Sequence, residues 1–183
     1  GLGRDQIVAP SADSATAGFD DAAVAKANAD SAMADANSRS TELADQMATM
    51  ADTNGWKVHR TSNPEDAADL VAKICEEKNA KSVLRSTHEV LNQIGVDTAV
   101  ANTGASLGIT QHDGDNSAEL VDASKSAAFT ADIGITGVDY AIAETGTVVL
   151  HPRSGLSRLV SLAPPTHIAV LRPGEVLDSL DEL

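Results

Sequence analysis

The chain has 183 residues, of which 42% are apolar, enough for one globular domain with a sizeable core. Its 27 acidic against 13 basic residues give a formal net charge of −14, which opposes binding to nucleic-acid phosphates and to anionic membrane surfaces. We therefore expect a protein that binds neither partner, and an acidity of this size suits either a halophilic host or an acidic mesophile.

A single cysteine, Cys75, excludes an internal disulfide, and no secretory signal or bilayer-spanning apolar run is recognisable. These features predict a cytoplasmic protein. An iron–sulfur cluster normally takes four Cys ligands, so we expect no such cluster in this chain. Cys75 shares the apolar stripe of a predicted helix with Val71 and Ile74, which favours a buried inert thiol over a nucleophile. The five histidines lack metal-ligand spacing, and we expect no metal site.

Residues 1–40 are rich in Ala, Asp and Ser and have few large apolar side chains. Such a composition has helix propensity but little to bury, so it predicts a helical or partly disordered arm ahead of a domain at residues 41–183. Leu43, Met47 and Met50 then recur on one face of a helix that ends near Asn54 and Gly55, where glycine is a favoured cap.

From Trp56 to Thr130, strand-like and helix-like segments alternate, which predicts an α/β fold whose mainly parallel sheet carries helices on both faces. Capping-box spacing marks two helix starts, Ser62 with Glu65 and Ser86 with Glu89. The segments in order are WKVHR (56–60), a helix at 64–78, KSVLR (81–85), a helix at 88–95, DTAVAN (97–102), a Gly-rich loop and a helix at 117–130.

After Thr130 the pattern changes to short apolar strands and tight turns. Thr145-Gly146 is placed to close a hairpin, and Pro164-Pro165 forbids a continuous strand across it. The predicted elements are the strands DIGIT (132–136), YAIAE (140–144), TVVLH (147–151), RLVSL (158–162) and HIAVL (167–171), and a final helix at 174–180.

Ligands of open α/β sheets bind outside the carboxyl ends of the strands, so loops that follow strands are the candidate sites. Ser86 and Thr87 lie at a helix start, where free backbone N–H groups favour an anion, although a ligand-free cap explains them equally well. Gly104 lies in the glycine-rich stretch 103–108, which permits close backbone approach to a phosphate or carboxylate. That stretch lacks both the Walker lysine and dinucleotide spacing, and a plain turn fits it as well.

Two further loops carry charge. Glu144 lies between apolar strands beside Thr145, Gly146 and Thr147, where a carboxylate can act as a general base, a nucleophile or a ligand anchor, or can simply hold the turn. The segment 151–158 contains a His and two Arg and no acid; its Arg153 and Arg158 suit a small anionic ligand or internal ion pairs.

The runs ADIGITGVDYAIAETGTVVL (131–150) and GLSRLVSLAPPTHIAVL (155–171) resemble the signature of the LUD domain, the lactate utilisation protein C family, formerly a domain of unknown function. Residues 1–40 do not match it, and residues 97–116 match only loosely. Within the signature, Thr136 and Gly137 join Glu144 and the charged loop as ligand-binding candidates. The resemblance implies a NagB/RpiA/CoA-transferase-like fold of three α/β/α layers around a mainly parallel sheet.

The resemblance also implies participation in a system that oxidises L-lactate to pyruvate, with iron–sulfur clusters carried by partner subunits. Our leading hypothesis is a subunit that binds a small anionic ligand between the Glu144 turn and the Arg153/Arg158 loop, with any cofactor unknown. A second hypothesis is a stand-alone acyl-transfer, ligase or isomerase-type enzyme that uses Glu144, since CoA transferases carry a catalytic glutamate in a similar short turn, although its flanking Ser and Asn are missing here. A third is a structural assembly module that forms homo-oligomers through the N-terminal arm. Whether the chain is an enzyme stays open at this point.

Overall fold

The computed structural model describes residues 39–110, 118–151 and 157–182. The prediction of a helical or disordered arm at residues 1–40 therefore falls almost wholly outside the described residues. Packing divides the chain into Gly1–Thr41 and Glu42–Leu183, and the elements below belong to the larger unit. The first helix, α1, occupies residues 39–53, of which 42–53 belong to this unit. It ends before Gly55, whose positive φ of 89° is the expected glycine signature of a helix terminus.

The main sheet has four parallel strands in the order β2-β1-β3-β6. In register, Val83 of β1 lies between Leu107 of β2 and Ile133 of β3, and Ile135 of β3 lies beside Ile168 of β6. All of β3 is buried, as expected for an inner parallel strand covered on both faces. The strands are β1 Ser82–Arg85, β2 Ser106–Ile109, β3 Ile133–Gly137 and β6 Thr166–Val170.

Helices cover both faces of this sheet, which confirms the predicted three-layer α/β architecture. Because side chains alternate along a strand, the Val83 side chain projects from one face of the sheet and the Leu84 side chain from the other. Val83 belongs to the core cluster of α2, α3 and α4, and Leu84 to the cluster of α5 and α6. The helices are α2 Pro64–Glu77, α3 Glu89–Gln93, α4 Val96–Asn102, α5 Ala118–Thr130 and α6 Ser157–Leu162.

A second sheet is formed by three strands that follow β3 in the chain, in the order β5-β4-β7. Its strands are β4 Tyr140–Ile142, β5 Thr147–Val149 and β7 Val176–Leu177. β4 and β5 form the predicted hairpin around Thr145-Gly146. The hairpin packs on α1, because Met47 and Ala51 of that helix share a core cluster with Ala141.

Three sequence predictions gave the wrong element type: two helices were read as strands, and one strand was read as a loop. DTAVAN, predicted to be strand-like, lies in α4, where Val96, Ala99 and Val100 at i, i+3 and i+4 are buried on one helix face. The Gly-rich loop predicted at 103–108 contains β2, which pairs with β1. RLVSL, predicted as a strand, lies in α6, whose Val160 is fully buried against the sheet.

The predicted strand WKVHR (56–60) is not a strand, because this segment is held by α1 and not by a sheet. The Trp56 N–H donates to the Ala51 carbonyl, and Arg60 pairs with Asp45 and donates to the Ala44 carbonyl at 3.1 Å. The predicted C-terminal helix at 174–180 is also wrong. That segment instead contains β7, which pairs with β4 as the third strand of the second sheet. Two single 3-10 turns flank β7, at Pro173–Glu175 and Leu180–Glu182.

Both predicted capping boxes are replaced by other caps. At α2 the cap is Asn63, whose side-chain oxygen accepts from the Asp66 N–H at 2.8 Å, with Pro64 in the first helical position. At α3 the cap is the imidazole of His88. The helices themselves begin within two residues of the predicted positions.

Candidate functional site

The carboxyl ends of the four parallel strands form one edge of the main sheet, the position where open α/β folds bind ligands. Polar side chains follow every strand at this edge. We refer to it as the crevice, formed by Ser86 and His88 after β1, Thr110 after β2, Asp139 after β3 and Arg172 after β6.

His88 is fixed by its own helix. Its Nδ1 accepts a hydrogen bond from the Val90 N–H at 3.3 Å, which leaves Nε2 to carry the proton of the neutral ring. That Nε2 lies 3.7 Å from Asp139 Oδ1, and both side chains are only 10% exposed. The His88 side chain packs directly on Gly137 of β3, where a Cβ would lie 2.3 Å from His88 Cγ. A glycine is therefore required at this position for the histidine to reach the carboxylate.

A second histidine, His151, lies near the other oxygen of the Asp139 carboxylate. The His151 N–H donates to Asp139 Oδ2 at 2.8 Å, and His151 Nδ1 lies 4.0 Å from that oxygen. The Tyr140 ring packs edge-on against the His151 ring, with centroids 5.7 Å apart. The His88 and His151 rings thus lie near the two oxygens of one carboxylate, each at a distance longer than a direct hydrogen bond.

Ser86 is a buried hydroxyl beside this group. The residue is 4% exposed, and its Oγ has no hydrogen-bond partner among the residues that the structure describes. Its backbone is fully used, since its N–H donates to Ile135 and its carbonyl accepts from Arg85 at 3.0 Å. A buried polar atom without a partner is uncommon and identifies a position that a ligand or water can satisfy.

The two arginines nearest the crevice are already neutralised. Arg85 makes a two-point pair with Asp97 of α4, through Nη2 at 2.9 Å and Nε at 2.5 Å. Arg172 pairs with Glu175, its Nε lying 2.7 Å from Oε1, and reaches Gln93 of α3 at 3.3 Å. These pairs brace α4, α3 and the chain after β6 around the strand ends, and they leave little free positive charge there.

Glu144 is exposed and lies in the hairpin turn of the second sheet. Its N–H donates to the Asp178 carbonyl at 3.0 Å. The turn rests on the end of α1, where Asn54 Nδ2 donates to the Thr145 carbonyl at 2.8 Å. A Cβ on Gly146 would lie 2.6 Å from the Ala51 nitrogen, so close packing explains that glycine. Thr145 and Thr147 bond each other through their hydroxyls at 2.9 Å.

The remaining predicted site residues are dispersed. Thr136 is 1% exposed, and a 2.8 Å hydrogen bond links its hydroxyl to His167 Nε2. Gly104 precedes β2 and therefore lies at the opposite end of the sheet from the crevice. Arg158 is exposed near the start of α6, and no hydrogen bond or ion pair joins it to Glu144 in the described structure. Arg153 lies outside the described residues. Thr87 is half-buried between Ser86 and His88.

The sequence reading missed the central residue, Asp139. It lies inside the signature run but was given no role, and only the fold brings it beside His88, which is far away in the chain. The available signal was the position of Asp139 just after a predicted strand. In the described part of the chain, no group of His, Cys, Asp and Glu is arranged to hold a metal ion, and no helix is long and apolar enough to cross a membrane.

Comparison with known proteins gives a consistent set of relatives. The family model of the LUD domain matches residues 44–183. An uncharacterized electron transport protein, YkgF, from Escherichia coli (strain K12) is 27% identical over a match covering 69% of this chain and 35% of that protein. Lactate utilization protein B from Bacillus subtilis (strain 168) is 25% identical, covering 75% of this chain and 38% of that protein. The same protein from Shouchella clausii (strain KSM-K16) is 24% identical with the same coverage. The chain thus spans under two-fifths of the length of these relatives. No solved structure matches it.

Proposed function

Because the chain belongs to the LUD domain family, we propose that it is a subunit of a cytoplasmic system that oxidises L-lactate to pyruvate, and that its crevice binds a small carboxylate. The observation that carries the ligand site is the cluster of His88, Asp139 and His151 at the strand ends. The names of the relatives, lactate utilization protein B and electron transport protein, support a role in such a system. In this proposal the iron–sulfur clusters belong to partner subunits.

The hydroxyl of a hydroxy acid suits this cluster because the carboxylate of Asp139 is a hydrogen-bond acceptor. Asp139 can accept a hydrogen bond from a ligand hydroxyl, and His88 Nε2 lies on the same carboxylate. His151 is the first residue of the cationic segment 151–158, and its backbone bond to Asp139 anchors the start of that segment at the crevice. We propose that the ligand carboxylate faces this segment, with Arg153 and Arg158 as its cations, and that the unpartnered Ser86 hydroxyl completes the site.

This proposal moves the site away from the Glu144 turn. The turn's contacts are with α1 and with the chain after β7, and Glu144 is exposed to solvent. A catalytic acyl-transfer role for Glu144 is the alternative, but this carboxylate is exposed to solvent, and hydration weakens a charged nucleophile. Unchanged lactate-linked activity in Glu144→Gln would exclude that alternative.

The proposed membership in a lactate-oxidising system is tested by anaerobic purification of the tagged native protein from its host grown on lactate. We expect iron–sulfur subunits to co-purify and a deletion strain to grow poorly on lactate and normally on glucose. Absence of both results would contradict the proposed role. A strain carrying Asp139→Asn should reproduce the lactate defect while retaining co-purification, because the substitution alters the crevice and not the surface.

A further inference from the structure

β6 is one of the two edge strands of the main sheet, β2 being the other, and it lies at the bottom of a groove. It pairs with β3 alone, and no backbone hydrogen bond joins its other side to a strand among the described residues. Along its whole length runs a groove of about 690 Å³, walled by α2 on one side and by residues 54–61 on the other. Every residue of β6 is only partly buried, unlike the fully buried β3. An edge strand presents unpaired backbone N–H and C=O groups, on which a further strand can pair.

The backbone atoms free at this edge can be identified. The Val170 carbonyl accepts from the Val138 N–H and so points toward β3. Because the N–H and C=O groups of successive residues in a strand point to opposite sides, those of His167 and Ala169 point into the groove. They form a template for one added parallel or antiparallel strand, about 16 Å long for the five residues of β6.

The side chains of the groove favour an acidic occupant. Its apolar lining comes from Trp56, Leu70, Ile74 and Ile168, which suits alternate apolar side chains of an extended segment. Its charged lining consists of Lys57, Lys78 and Glu77. Glu77 is offset by Lys73 at 3.9 Å, so the groove carries a net positive charge in a chain whose total is −14.

The recess also argues against a second copy of this chain. Two copies cannot bring their β6 edges together, because each edge lies between a helix and the segment 54–61. Only a single extended segment is narrow enough to reach the β6 edge at the bottom of the groove. We propose that the β6 groove binds an extended, acidic segment of a partner protein by strand addition, separately from the crevice.

Trp56 lines the groove and is the single tryptophan of the chain, so its fluorescence reports directly on the site. The probe is an acetylated peptide of about ten residues that alternates Val with Asp or Glu, and its control alternates Val with Lys. We expect a saturable change in Trp56 emission with the acidic peptide only. Hydrogen exchange of the full chain should show new protection at the His167 and Ala169 amides.

Charge reversal tests the site without disturbing the core. Lys57→Glu and Lys78→Glu, both at exposed positions, should each weaken binding of the acidic peptide about tenfold, whereas Lys125→Glu on α5 should leave it unchanged. Ala169→Pro removes one outward N–H and should abolish the exchange protection. The proposal is overturned if the acidic peptide fails to bind, if both peptides bind equally, or if Lys125→Glu weakens binding as much as the groove variants. Self-association of the full chain that is lost in Lys57→Glu would also overturn it, because the occupant would then be a second copy.

Discussion

His167 is a residue whose ionisation is set by burial. Its ring packs edge-on against Trp56 and shares a hydrogen bond with Thr136, and burial lowers its pKa to about 4. The unfolded chain binds this proton near pH 6.5, and the folded chain only near pH 4. Because the folded pKa is the lower one, the free energy of unfolding should fall as the pH drops through this window, by up to about 3 kcal/mol.

Denaturant unfolding of the wild type and of His167→Gln at pH 7 and pH 4.5 checks this prediction. The difference in unfolding free energy between the two proteins should shift in favour of the variant at the lower pH. An equal pH dependence in both proteins would show that burial does not lower the pKa of His167 in the folded chain.

The pKa of Asp132 is also lowered in the folded chain, here by hydrogen bonds rather than by burial. Its Oδ2 accepts from the Lys81 N–H at 2.7 Å and from the Ser82 N–H at 2.9 Å, and these bonds, with the Ser82 hydroxyl, lower its pKa. A lowered carboxyl pKa contributes stability above the unfolded value, near 3.9, which is lost as the pH falls through the folded value. Asp132→Asn should therefore melt at a lower temperature than wild type at pH 7, and the gap should narrow in acid. Asp122→Asn on α5 is the control, and a gap independent of pH would refute the prediction.

The residue scale also shows what could be predicted about the site. Ser86 and Thr87 were predicted from their position after a strand, a local feature. Asp139 was missed because its role depends on His88 and His151, which reach it only through tertiary structure. Thr136 was named as a ligand contact, yet its hydroxyl is taken up by His167 inside the sheet. The sequence alone therefore does not tell whether a polar side chain of a buried strand faces a ligand or bonds to a neighbouring side chain inside the protein.

At the scale of elements, the close contact between α6 and β3 depends on Gly134. A Cβ at this position would lie 1.8 Å from the Val160 carbonyl oxygen, a backbone atom that cannot rotate away. Gly134→Ala should therefore force α6 off the sheet and destabilise the protein by about 3 kcal/mol. Gly174→Ala is the matched control, because nothing lies within 4 Å of its Cβ position. Denaturant unfolding measures both, and equal stabilities would contradict the packing described here.

Helix prediction was accurate for the long helix α2 and wrong for the short helices α4 and α6. The 14 residues of α2 show a clear apolar stripe and were placed within one residue. The six residues of α6 and the seven of α4 are too short for a strand and a helix period to be distinguished from sequence. WKVHR has strand composition, but strand formation needs a partner, and Arg60 and Trp56 attach this segment to α1 instead.

At the scale of the whole molecule, the chain has two candidate surfaces on one sheet. The crevice lies at the carboxyl ends of the strands, and the β6 groove lies along the β6 edge. Three-layer architecture and family were both predictable, because alternating segments and the signature run are properties of long stretches. The positions of Glu144 and His151 relative to each other were not predictable, because Glu144 lies in the turn of the β4–β5 hairpin and His151 follows β5 at the hairpin's other end.

The central claim is that the crevice, and not the Glu144 turn, binds a small carboxylate. Isothermal titration of L-lactate and pyruvate into the wild type, Asp139→Asn and Glu144→Gln tests it most directly. We predict saturable binding to the wild type and to Glu144→Gln, and binding weakened about tenfold or more in Asp139→Asn, since removal of a charged hydrogen-bonding partner costs about 1.5–3 kcal/mol. Binding that survives in Asp139→Asn and is lost in Glu144→Gln, or no binding by the wild type, would contradict this account.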